Sequence, residues 1–230
     1  MGREMVRAFA SHGADVVVAS RKEKACRELT REIEATHGVR ALPIACNVSS
    51  WAECDRLVDS VYAEFGTVDV LVNNAGLSPL YERLDQVGQA LFDKVIAVNL
   101  SGPFRLMSLI GTRMAADKGG SIINIGSIEA IRPHPGALPY AAAKAGLHAL
   151  TEGFAQALGP TVRVNTIQPG AFLTDISEGW PDGLQQEMEQ TVALGRCARP
   201  DEIVGAALFF ASSASSYATG AVLRLDGGWK

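Results

Sequence analysis

The 230 residues are 47% hydrophobic and 20% charged, with a formal net charge of −4. This is ordinary globular composition, and its mild acidity argues against nucleic acid or an anionic membrane surface as partner, since both attract concentrated Lys and Arg. No apolar run approaches the roughly 20 residues needed to span a bilayer, and no charged-then-apolar leader marks export.

The chain opens on a helix, with Met5, Val6, Phe9 and Ala10 at helical spacing and His12-Gly13 closing it. A near-continuous apolar strand follows over 14–20. Further strands are predicted over 39–46, 68–73, 120–126, 162–168 and 221–225. Helices fall between them at about 22–36, 50–65, 86–115, 139–158 and 200–212. Ser49 and Ser50 are candidate caps for the third helix, and Pro200-Asp201-Glu202 gives the last an acidic first turn.

Strands apolar on both faces, each followed by a helix, indicate a parallel sheet covered on both sides. The expected fold is therefore α/β: a doubly wound, Rossmann-like parallel sheet in three α/β/α layers, with 1–230 forming one domain. The stretch 171–198 breaks the alternation beyond a strand end, where ligands bind in such sheets. It is a candidate substrate lid, offering Phe172, Leu173, Ile176 and Trp180 as apolar cover.

Cys26, Cys46, Cys54 and Cys197 contain no Cys-x-x-Cys pair, so a reduced, cytoplasmic setting fits better than a disulfide framework. His12, His37, His134 and His148 lack metal-ligand spacing and are read as surface or helix residues; no metal is expected.

The chemistry-bearing residues lie just after predicted strands. Asn73-Asn74-Ala75-Gly76 follows one strand and Ser127 another; Tyr140 stands thirteen residues beyond Ser127, and Lys144 four further on. Pro169-Gly170 and then Thr174 follow the strand over 162–168. Parallel strands present all their C-terminal ends at one edge, so these loops converge. Tyr140 and Lys144 share a helix face. The positive end of the helix dipole and the Lys144 ammonium are both expected to favour phenolate, making Tyr140 a general acid/base. A Ser127 hydroxyl at the neighbouring strand end could hold a carbonyl or alcohol oxygen. Singly each feature is weak; their order and spacing together are specific.

In those residues, and on to Asp226-Gly227-Gly228, the chain resembles the classical short-chain dehydrogenases/reductases over its whole length. The resemblance implies an NAD(P)-binding fold with the active site in the same domain, acting on a small carbonyl or alcohol substrate such as a 3-oxoacyl thioester. It implies that Asn74, Ala75 and Gly76 support the adenosine side of the cofactor. Asn99 would kink its helix and hold a relay water, Ser127 would orient the substrate oxygen, and Tyr140 would transfer the proton. Lys144 would grip the nicotinamide ribose and lower the tyrosine pKa, while Pro169, Gly170 and Thr174 would contact the nicotinamide and its phosphate. It also implies a homo-oligomer, tetramer or dimer, built through the helices at 86–115 and 139–158 and the last strand. Ala141, Ala142, Ala143, Ala145 and Ala149 suit such close helix packing, or an intrachain interface equally well.

Ser20 and Arg21 at the end of the second strand of such a fold favour NADP over NAD, because a basic side chain attracts the 2′-phosphate where an acid would repel it. Asn47-Val48 stands where the family usually has Asp-Val, and its amide is expected to bond the adenine amino group. Met1-Gly2 fits the last two positions of the family's glycine-rich loop, so a first strand and most of that loop are expected upstream. Without them the sheet should show a gap beside 14–20 or a shifted order. A chain lacking that strand could alternatively be a non-catalytic binding or scaffold protein with impaired cofactor affinity.

Overall fold

Six parallel strands alternate with helices, as the apolar runs predict, but they form two sheets. A computed structural model describes residues 1–175 and 177–230, with the side chain of Glu178 also left aside. α1 (Gly2–Ser11) leads to β1 (Val16–Ser20), α2 (Glu23–His37), β2 (Ala41–Ala45), α3 (Trp51–Phe65) and β3 (Val70–Asn73). α4 (Gln89–Ile96), a π-helical turn (Ala97–Ser101) and α5 (Gly102–Ala116) then form one long, bent helix. β4 (Gly120–Ile125), α6 (Leu138–Leu158), β5 (Val162–Pro169), α7 (Leu184–Thr191), α8 (Val204–Ala211) and β6 (Val222–Leu225) complete the chain. Each predicted strand is present, shortened or extended by one to three residues. Ser50, not Ser49, caps α3, its side chain accepting from the Glu53 N–H. The predicted helix at 200–212 begins as a 3₁₀ turn over Pro200–Ile203.

One sheet has the order β1-β2 and the other β3-β4-β5-β6. β1 pairs with β2 alone and β3 with β4 alone, so a gap separates the two sheets. That gap is the outcome predicted beside 14–20. β1 ends in two exposed residues and β3 is only partly buried over its first three. Water can therefore meet part of the unpaired edge, which lowers the roughly 1–3 kcal/mol that each fully buried orphan group would cost.

Side chains rather than strand hydrogen bonds join the sheets. On one face α3, α5 and α6 share a core containing Leu57, Val58, Leu106, Met107, Ile122, Leu147 and Val164, against which Val17 of β1 and Ile44 of β2 pack. On the other, α1 places Met5 with Ile123, Ile125, Ile167 and Phe210, while its Ala10 packs with Val16, Val18 and Ile33. Fully burying one such aliphatic side chain contributes about 1.5–3 kcal/mol, so α1 and the α3/α5 pair act as clamps across the gap. Gly102 is required at the second clamp. A Cβ there would lie 2.4 Å from the Val48 carbonyl oxygen. Arg105 bonds both oxygens of Asp55 at 2.7 and 2.8 Å, and the Trp51 indole N–H donates to Ser101 at 2.9 Å.

Read as one helix, Gln89–Ala116 is long and apolar enough to cross a membrane, contrary to the expectation that no run would be. Half of its most apolar window is buried inside the fold, against α3 and α6. That burial explains the run as a core helix.

Candidate active site

α6 begins beside the end of β4, and this junction assembles the central side chains. Pro139 sits in the first turn of α6, where its missing N–H costs nothing. Tyr140 follows, and Lys144 stands one turn later with its Nζ 5.6 Å from the Tyr140 ring centroid. Lys144 is buried, and its ammonium donates to the Ile125 carbonyl at 2.7 Å, which fixes the side chain against the end of β4. Ser127, two residues past β4, is buried and begins a 3₁₀ turn by accepting from the Glu129 N–H at 3.2 Å.

The electrostatics correct one expectation. Burial pushes the Tyr140 phenol up to about 12. The Ser127 hydroxyl opposes this and the Glu129 carboxylate adds to it. Burial likewise lowers Lys144 to about 8. The sequence predicted a phenol drawn downward by the helix dipole and the ammonium. Desolvation of the charged form is the largest cause of the upward shift. A pKa of about 12 keeps the phenol protonated, the form that donates to a developing alkoxide.

Asn99 lies wholly buried in the π-helical turn, which packs against α6. Its Nδ2 donates to the Leu77 and Val95 carbonyls at 2.8 and 2.9 Å, and its Oδ1 accepts from the Leu77 N–H at 3.2 Å. The amide thus ties the bent helix to the loop after β3. A π-helical turn thus falls at the residue where a kink was expected. Behind it, Asn73 donates to Asn124 at 2.9 Å and Asn124 to Thr151 at 2.9 Å, joining β3, β4 and α6 through buried polar groups.

The same sheet edge carries the predicted cofactor residues. Asn74 faces α1, and a Cβ on Gly2 would come within 2.7 Å of its Nδ2. Ala75 and Gly76 are exposed, and a Cβ on Gly76 would touch Asn99 Oδ1 at 3.4 Å. The first N–H groups of α1 lack intrahelical partners, so glycine at Gly2 leaves backbone donors open beside Asn74, a cradle that suits a pyrophosphate. Pro169 ends β5 and Gly170 presses on Asp226, where a Cβ would lie 2.8 Å from its Cα. The Thr174 N–H donates to Ser177 Oγ at 2.9 Å, and that hydroxyl donates back to the Thr174 carbonyl at 2.7 Å.

At the smaller sheet, Ser20, the last residue of β1, and Arg21 just beyond it are exposed, and Ser20 Oγ accepts from the Lys22 N–H at 3.1 Å. Asn47 and Val48 follow β2. Asn47 Oδ1 already accepts from the Ser49 hydroxyl at 2.8 Å and the Ser49 N–H at 3.3 Å. That oxygen is thus engaged within the turn after β2.

Of the predicted lid residues, Phe172 is buried in the core beside Ile203 and Phe210, so it supports the sheet instead of covering a substrate. Trp180 does line a cavity of about 200 Å³, together with Leu80, Ala137, Leu184 and Met188. Leu173 is part-exposed, and Ile176 lies outside the described residues. Among the described residues no group of acids, cysteines and histidines could hold a metal ion. Glu129 escaped the sequence reading, although a carboxylate two residues beyond Ser127 was a visible signal.

A family model described as Enoyl-(Acyl carrier protein) reductase matches residues 1–230. The chain is 36% identical over 229 residues to a 3-oxoacyl-(acyl-carrier-protein) reductase of Chlamydia muridarum, covering 99% of this chain and 92% of that protein. It is 34% identical over 236 residues to an NADP-dependent mannitol dehydrogenase of Alternaria alternata, covering 100% of this chain and 87% of that protein. The crystal structure of L-sorbose reductase from Gluconobacter frateurii, complexed with NADPH and L-sorbose, matches at TM-score 0.91 and 28% identity, over 98% of this chain and 90% of that one. The chain belongs to the short-chain dehydrogenase/reductase family. It is an oxidoreductase of that family, whose members use NAD or NADP with small-molecule substrates. The alternative of a non-catalytic scaffold is not favoured by relatives that are enzymes along this chain's full length.

Proposed function

We propose that this short-chain dehydrogenase/reductase prefers NADP and interconverts a carbonyl compound with its secondary alcohol. What carries the reading is the convergence of Ser127, Tyr140 and Lys144 at the end of β4, with the Lys144 ammonium buried and anchored on Ile125. When bound, the nicotinamide supplies or accepts the hydride. In the reductive direction Ser127 donates a hydrogen bond to the substrate oxygen, and Tyr140 gives that oxygen its phenolic proton. Lys144 holds the nicotinamide ribose and lowers the cost of the transient phenolate. Asn99 holds the loop after β3 in place and, with a water, links Lys144 to solvent.

Gly2, Asn74, Ala75, Gly76, Pro169, Gly170 and Thr174 hold the dinucleotide along the sheet edge, with Asn47 and Val48 beside the adenine. Exposed Arg21, with Ser20, faces the 2′-phosphate and supplies the NADP preference. The stretch 171–198 covers the substrate. Ala142, Ala145 and Ala149 form an exposed stripe on α6, while Ala141 and Ala143 are buried. The stripe suits docking of a second copy, and we assign the chain to a homo-oligomer, tetramer or dimer, in the cytoplasm.

Similarity to the Chlamydia enzyme supports a 3-oxoacyl thioester as substrate. The carboxylate of Glu129 in the cavity favours a second reading, a small hydroxylated ketone or polyol. Steady-state reduction of a ketone panel by NADPH and by NADH tests the proposal. NADPH consumption at least about tenfold more efficient than NADH consumption is expected, from one charge-assisted contact to phosphate. Absence of turnover with every ketone and both cofactors would overturn it.

A further inference from the structure

Among the described residues, the cavity beside Trp180 is lined by apolar side chains and by one acid, Glu129. Leu80, Ala137, Trp180, Leu184 and Met188 supply the apolar surface, and Ser78, His134 and Glu129 the polar one. Glu129 Oε2 accepts from the His134 backbone N–H at 2.7 Å. Its Oε1 has no hydrogen-bond partner, and no Lys or Arg pairs with the carboxylate, among the described residues. The carboxylate also lies close enough to Tyr140 for its charge to raise the phenol's pKa. A half-buried acid with one free oxygen, beside the proton donor and inside a cavity, has a clear preference for what enters. It accepts a hydrogen bond from a hydroxyl or ammonium, and it repels an anion.

We infer that Glu129 selects substrates bearing a hydroxyl donor near the reacting carbon, so that the class served is the hydroxyketone/vicinal diol pair and not the plain or anionic ketone. Two features of the site favour a hydroxyl donor. The Trp180 ring and the aliphatic side chains that line the cavity with it can pack on C–H faces, as small polyhydroxylated molecules present them. The Glu129 N–H in turn donates to Ser127 Oγ at 3.2 Å, so the residue that reads the hydroxyl is hydrogen-bonded to the one placed on the reacting oxygen. Glu129 is a specificity residue here; it transfers no proton. The inference rests on the carbonyl/alcohol reading above.

The test compares a matched pair, 2-hydroxycyclohexanone and cyclohexanone, reduced by NADPH with the full chain. The readout is the ratio of the two kcat/KM values, which is insensitive to a general loss of activity. Wild type is expected to favour the hydroxyketone about 10- to 100-fold, the value of one hydrogen bond to a charged group. Glu129→Leu should bring the ratio to within about twofold of one. Glu129→Gln, which still accepts from His134 and guards against misfolding of the leucine variant, should give an intermediate ratio. A wild-type ratio near one, or a Glu129→Leu ratio equal to wild type, would overturn the inference. Tryptophan fluorescence titration with the same two ketones separates this from failure of the reductase reading. Hydroxyl-dependent binding that Glu129→Leu abolishes, without turnover, would uphold Glu129 and sink the carbonyl reduction; binding without preference would sink Glu129.

Discussion

The two sheets follow one plan, parallel strands under helices, yet they bury different things. β4 and β5 and the helix beside them bury Asn124, Lys144, Thr151, Asn165, Thr166 and Gln168. β1 and β2 bury no charged side chain and end in the exposed residues Ser20, Arg21 and Ala45. The contrast suits the two proposed tasks. Moving a proton to a developing alkoxide gains from fixed dipoles in a dry site, where each contact is stronger than in water. Discriminating one phosphate from none needs only a cation that can meet it at the surface. The packing of α1 on both sheets and the close contact at Gly102 join the two regions.

Four substitutions probe that division. Ser127→Ala, on the chemical side, should lower kcat by about 10²- to 10³-fold, as loss of one preorganised donor does, while NADPH affinity from a fluorescence titration stays within about twofold.

The second probe uses the buried ammonium. Lys144 falls to about 8 in the fold against an ordinary value of 10.5. Between those pH values the unfolded chain binds the extra proton, so this group's contribution to stability rises with pH. At 1.36 kcal/mol per pKa unit, it amounts to roughly 2 kcal/mol between pH 7.5 and 9.5. Urea melts of cofactor-free wild type and Lys144→Met should differ by that increment. The shift of Tyr140 runs the opposite way: raised to about 12, it stabilises the fold fully below pH 10 and loses that contribution as pH climbs to 12.

Arg21→Asp, on the recognition side, should weaken NADPH binding about 10- to 100-fold, narrow or reverse the preference over NADH, and leave kcat at saturation unchanged. An unchanged NADPH affinity would leave the smaller sheet without its proposed role. Gly102→Ala acts on the clamp itself, since the new methyl would press on the Val48 carbonyl. It should cost about 1–3 kcal/mol of stability, read as a shift in urea midpoint.

Much of this was legible in the sequence because period and punctuation reflect local physics. Apolar runs such as Ile122–Ile125 between turns gave the strands, and the spacing of Ser127, Tyr140 and Lys144 gave the site. What escaped depends on surroundings that no local pattern encodes. Tyr140 was expected to have a lowered pKa, because dipole and charge are visible in sequence and burial is not. Phe172 looked like lid cover, yet its side chain turns into the core. Glu129 sits in a turn that reads as solvent until the loop with Trp180 folds across it.

The account stands most directly on Tyr140→Phe, measured for NADPH binding and for ketone reduction in the same preparation. It predicts binding within about twofold of wild type and a turnover lower by about 10²- to 10⁴-fold, the contribution of a positioned general acid. Turnover equal to wild type would contradict it.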